Sequence, residues 1–374
     1  MRFFVVLALA CSAVAQSGPR IQISGTTENL RGVTAVSRQV AWASGTHGTY
    51  LRTVDGGQTW TTAQVPGAAA LDFRGIVAFS ADEAYLMSSG PGEQSRIYHT
   101  LDGGKHWQLQ FTNDKPKGFF DAIAFWDPKH GLVLGDPIPD DSGKAKFELL
   151  ETADGQSWKV LPSSKMPEAI TGEGAFAASN SCLAILPGGD DHNIWFGTGG
   201  QTSRVFHSSD RGQTWEVSDT PIMHGPDSAG IFSIAFRDGL HGVIAGGDYK
   251  QPKKDGPNLA FTEDGGKNWK LATITPQAYF SAVAYDRRVN RAAAQQMAEE
   301  KAAESTGKKI RVKPTTPERL FIVGEDFVFD FSPPRNPQRV GGNKKQGYAF
   351  NAVGAYAEGG ALVVGPKGTI AFIP

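Results

Sequence analysis

Short apolar stretches recur along this chain between clusters of Gly, Asp, Ser and Asn, and they fall into two alternating kinds. The first kind reads Arg31–Ser37, Arg74–Ser80, Phe120–Phe125, Glu173–Ser179 and Ile231–Phe236. The second kind ends on glycine and reads Ala41–Gly45, Ala84–Gly90, Leu132–Gly135, Ile194–Gly199 and Val243–Gly246. Near-continuous apolar runs of this length predict strands covered on both faces. Two further sets follow: Phe280–Tyr285, Leu320–Gly324 and Phe327–Phe331, then Asn351–Tyr356, Ala361–Gly365 and Thr369–Ile373. The last set ends one strand short. The unpaired stretch Arg20–Ser24 is expected to supply that strand and close a ring, which removes exposed sheet edges.

Between the second strands and the next repeat, five copies of one phrase appear. They begin at Thr53, Thr100, Thr152, Ser208 and Thr262, and the third is one residue short. Their aspartates are Asp55, Asp102, Asp154, Asp210 and Asp264, spaced by 47, 52, 56 and 54 residues, and the phrases end on Trp60, Trp107, Trp158, Trp215 and Trp269. Such a period matches one four-stranded propeller blade. The chemistry of the phrase is local. Asp accepts from amides of its own turn, Gly takes the positive-φ positions, and Trp enters the next strand to pack between sheets. The expected fold is all-β: a single seven-bladed propeller of four-stranded blades over residues 20–374, closed by the N-terminal strand.

Composition agrees with many short strands: 45 Gly, 22 Pro and 20% charged residues in 374. The net charge of −1 offers no support for nucleic-acid binding. Residues 1–15 read as a signal peptide, with Arg2, an apolar run to Ala10 and Ala13-Val14-Ala15 before the cleavage point. Nothing else is long and apolar enough to span a bilayer, so the mature chain is expected in the periplasm or outside the cell. Cys11 lies inside that leader, where lipid attachment is a second reading. Cys182 is then alone among apolar neighbours and reads as a buried small side chain. Residues 287–318 interrupt the sixth repeat with helix-forming composition followed by a basic, Pro-bearing stretch. That insertion is expected to project away from the binding face.

The phrase T-x-D-G-G-x-x-W between glycine-ended strands resembles the Asp-box (BNR) repeat, and the arrangement is similar to photosystem II assembly and stability factor-like propellers. It resembles more distantly the sialidases. The first resemblance implies an exported propeller that binds a protein; function is grafted onto such folds rather than fixed by them. The sialidase resemblance implies a glycosidase, but the closest match to its arginine signature, Arg20-Ile21-Gln22, lacks the expected Pro.

Aligned repeats place Arg31, Arg74, Phe120, Glu173, Ile231, Phe280 and Asn351 at the start of the inner strands, around the pore. His47, Asp136, Asp248 and Glu325 follow the second-strand glycines and are expected to rim the same face. This mixture suits a protein segment or a glycan. The alternative is a glycoside hydrolase or lyase using Glu173, Asp136, Asp248 or Glu325 with Arg31 and Arg74. No cofactor motif is read. No metal set is read either: the histidines lack zinc spacing and Asp136–Ser142 lacks calcium-loop spacing.

Overall fold

The computed structural model describes residues 18–186, 192–272, 278–288, 319–324, 327–331, 338–341 and 349–374. Strands order into seven antiparallel sheets. Blade one runs Leu30–Ala35, Ala41–Gly45, Thr49–Thr53 and Thr61–Gln64 from the axis outward, and blades two to seven repeat the pattern. Blade seven takes Ala352–Ala355, Ala361–Gly365 and Thr369–Ile373 from the C-terminal end and Arg20–Gln22 from the N-terminal end. Ile21 faces Ala371 and Gln22 faces Ile370 across this seam. Ring closure is therefore as expected, although the closing strand stops at Gln22. The predicted helical insertion, residues 287–318, lies outside the described residues apart from Arg287 and Arg288, as does the leader.

Seven apolar clusters occupy the seven interfaces between adjacent blades, including blades seven and one. The apolar runs of the sequence are thus covered on both faces. Burying each Leu, Val or Phe here contributes roughly 1.5–3 kcal/mol. Each repeat tryptophan packs against the preceding blade. Trp107 meets Trp42 and Tyr50, and Trp215 joins Leu132 and Phe147 in one cluster.

The repeat turns are built as their composition dictates. Gly57 N–H and the Asp55 carboxylate both use the Thr53 hydroxyl, while Thr59 donates its amide and hydroxyl to Asp55. These bonds hold the Asp55 carboxyl at about 2. Asp102, Asp210 and Asp264 are likewise held at about 2, and Asp154 is lowered in the same way. The turn glycines have a second duty. Gly104 (φ 76–88 region, like its neighbour Gly103) and Gly155 offer carbonyls to Tyr50 and Tyr85 of the preceding blade at 2.7 and 2.8 Å. A Cβ at Gly104 would collide with the Tyr50 ring.

The central channel has a volume of about 1590 Å³. Small and apolar inner-strand residues such as Val77, Ala124, Ala235 and Ala284 line it. We call upper the face at which the inner strands begin and the second strands end.

Candidate functional site

Five inner strands carry the same irregularity near their upper end: register slips between Leu30 and Gly32, Phe73 and Gly75, Phe120 and Ala122, Ile231 and Ser233, and Phe280 and Ala282. A bulge leaves one residue out of the ladder and re-aims it. The bulged residues are Arg31, Arg74, Asp121, Phe232 and Ser281. Sequence alignment placed Phe120, Ile231 and Phe280 beside the two arginines, one position early. All three are fully buried between sheets and do not line the pore.

Blade four departs further. Its inner strand is Leu183–Ile185, not Glu173–Ser179. Residues 173–181 instead cross the upper end of the channel as a plug. Glu173 and Gly174 pair with Gly199 and Gly200, next to blade five. Phe176 stacks on Phe232 at 3.9 Å, in a socket where a side chain on Gly199 or Gly230 would strike its ring. Ser179 donates to the Ser281 carbonyl at 2.8 Å. Asn180, at φ 62, exchanges two bonds with the Ile123 backbone, as a neighbouring strand would.

Glu173 is accordingly not a pore carboxylate. It is buried and takes Arg204 Nε and the Thr198 hydroxyl at 2.9 and 2.7 Å. Asp248 is also buried, accepting from Lys250 N and Gln251 Nε2 and shaping the turn that displays Tyr249. His47 stands at the rim, its imidazole raised by a 2.7 Å bond to Glu28. Asn351 seals the ring seam, donating to Asn29 Oδ1 and the Leu30 carbonyl at 2.7 Å. Glu325 lies outside the described residues.

Arg31 and Arg74 converge on Asp72. Arg74 Nε lies 2.9 Å from Asp72 Oδ2, and Arg31 Nη2 lies 3.2 Å from the same oxygen. Two guanidinium groups thus share one carboxylate. Burial lowers the Arg31 pKa, Asp72 opposes this, and Arg74 adds to it. Beside them, Asp136 is half-buried and accepts the Ala175 amide at 3.1 Å; desolvation pushes its carboxyl up to about 6. Asp121 is fully buried. Desolvation, then the Asp136 charge, pushes it well above the carboxylate range, with Arg74 opposing. Its Oδ2 makes no hydrogen bond among the described residues. The alignment missed Asp121 and Phe232 because a one-residue bulge is invisible to a strand pattern. No group of three or more His, Cys, Asp or Glu residues could hold a metal among the described residues. No helix among them is long and apolar enough to cross a membrane.

Fold and repeat turns define the class: a closed seven-bladed propeller of BNR repeats. Residues 15–119 match the family described as Photosynthesis system II assembly factor YCF48. Photosystem II assembly protein Ycf48 of Synechococcus sp. (strain JA-2-3B'a(2-13)) is 22% identical over 325 residues, spanning 66% of this chain and 93% of that protein. Photosystem II assembly lipoprotein Ycf48 of Synechococcus sp. (strain CC9902) is 24% identical over 212 residues, spanning 48% and 59%. Among solved structures, YCF48 bound to D1 peptide superposes with TM-score 0.63 at 18% identity, over 99% of both chains. The RRP9 WD40 repeats superpose with TM-score 0.59 at 12% identity, over 96% of this chain and 98% of that one. Both are likenesses of fold. The chain thus resembles the photosystem II assembly factor-like BNR propellers.

Proposed function

We propose that this chain is an exported, non-enzymatic propeller that holds an extended segment of a partner protein on its upper face, over Arg31 and Arg74. The carrying observation is the pair of guanidinium groups converging on Asp72 at the mouth of a plugged channel. Arginine is suited to this duty, since its fork binds carboxylates and backbone carbonyls in fixed geometry. A related propeller is known with a D1 peptide bound, which supports a peptide ligand. Two of the acids that a hydrolase would need are engaged otherwise, Glu173 with Arg204 and Asp248 with its own turn. Residues 1–15 act as the export leader, and the propeller spans 20–374; that one relative is named a lipoprotein supports export. A glycan is the second ligand class, favoured by the exposed ring of Tyr249.

The test is capture of partners from the host's envelope by the tagged propeller, with and without the double substitution R31A/R74A. Loss of a protein partner from the variant, with the variant still fully folded at the capture temperature, supports the reading. Unchanged recovery overturns this placement, and recovery that a glycosidase pre-treatment abolishes moves the ligand to the glycan class.

A further inference from the structure

The upper face carries aromatic rings beside its arginines. Phe232, the bulged residue of blade five, is buried and forms the base of a cluster. Phe176 of the plug stacks on it at 3.9 Å. Tyr279 meets it edge-on at 4.8 Å, and Tyr249 at 6.1 Å. Tyr249 is 49% exposed, and Phe176 and Tyr279 are half-buried, so each offers ring surface. The Tyr249 turn is clamped by Asp248, and the Tyr279 amide donates to Pro252 of the same loop at 2.9 Å. The rings are thus held in place before any ligand arrives. Preordered aromatics offer large contact area with little entropy left to lose.

This cluster adjoins the arginine pair. Ala177, one residue from Phe176, accepts Arg74 Nη1 at 2.9 Å. Lys250, Lys253 and Lys254 follow Tyr249 on the exposed loop, flanked by the carboxylates of Asp248 and Asp255. Lys250 Nζ sits 5.8 Å from the Tyr249 ring centre.

Resting on the upper-face reading above, we propose that the site selects a peptide segment in which an acidic residue adjoins a large aromatic one. The carboxylate lies against Arg31 and Arg74, and the ring of its neighbour packs on Phe176, Tyr249 and Tyr279. Arg31, Arg74, Lys250, Lys253 and Lys254 outnumber the carboxylates Asp72, Asp136, Asp248 and Asp255 of this face, and that balance commits the occupant to an acidic peptide. The platform adds the apolar requirement, since stacked and edge-on aromatic pairs contribute beyond their buried area.

The probe is a fluorescein-labelled nonapeptide of Gly and Ser with a central Asp-Phe, read by fluorescence anisotropy against the Asp-Ala and Asn-Phe versions. Wild-type protein is expected to bind Asp-Phe at least about tenfold more tightly than either. Y249A, whose exposed side chain leaves the fold intact, should bring Asp-Phe close to Asp-Ala while keeping the preference over Asn-Phe. R31Q should do the converse. Equal binding of Asp-Phe and Asp-Ala by wild type overturns this inference and leaves the upper-face reading standing. Retained tenfold discrimination in Y249A overturns the platform. No binding of any peptide overturns both.

Discussion

Arg74 reaches from blade two across the channel mouth and donates Nη1–H to the carbonyl of Ala177, 2.9 Å away and 103 residues on in sequence. One side chain thereby joins the charged cluster to the plug. Bonds from a charged donor are worth about 1.5–3 kcal/mol, and the side chain is partly exposed, so the lower end applies. R74M should lower stability by about 1–2 kcal/mol and raise amide exchange selectively between residues 175 and 181. Uniform exchange across all blades would show that Arg74 does not hold the plug.

The plug's other anchor is the Phe176 socket. F176A removes a half-buried ring and should cost about 2 kcal/mol. G199A should cost a similar amount, because its Cβ would strike both the ring and the Ala229 carbonyl. Since both changes act on one contact, the double variant should lose less than the sum of the two. Denaturant titration of the four proteins checks this.

Glu173, the first residue of the plug, is buried and pairs with the largely buried Arg204, whose Nε donates to it at 2.9 Å. Removing one partner strands the other, at about 3–5 kcal/mol for buried pairs. E173Q should therefore destabilise strongly, and pairing it with R204M should recover much of the loss. Full additivity in a thermal-melt cycle would count against the pairing.

Two sets of carboxylates set opposite pH dependences. Asp55, Asp102, Asp210 and Asp264 are depressed from 3.8 to about 2, so their stabilisation is full above about pH 4 and is lost as pH falls towards 2. Asp136 is raised from 3.8 to about 6, so its contribution is present below about pH 4 and is lost as pH rises through 6. D136N should flatten the decline between pH 4 and 6 without touching the acid limb, and should stabilise the protein at pH 7. Urea midpoints from pH 2 to 8 measure both limbs.

The repeat was legible because its physics is local. The turn bonds of Asp55 and Thr53 close within four residues, so composition at fixed offsets was enough to place them. The seam was legible from counting: Thr369–Ile373 lacked a partner and Arg20–Ser24 lacked a blade, and the first three residues of that stretch form the pairing.

The candidate site was only half legible, and the reason differs residue by residue. Arg31 and Arg74 were placed at the mouth by the strand pattern alone. Asp121, Phe232 and Ser281 were passed over for their neighbours Phe120, Ile231 and Phe280, because a bulge shifts facing by one without altering the apolar run. Glu173–Ser179 carries the same apolar, small-residue signature as a true inner strand. What sends it across the channel is a set of distant partners: Gly199 and Gly230, Arg74, Ser281 and Ile123. The amino-acid sequence by itself determined the repeat, its turns and the closure of the ring, because those depend on near neighbours and on strand count. Tertiary structure alone decided which side chains meet at the mouth, because that depends on a one-residue slip and on contacts between segments far apart in sequence.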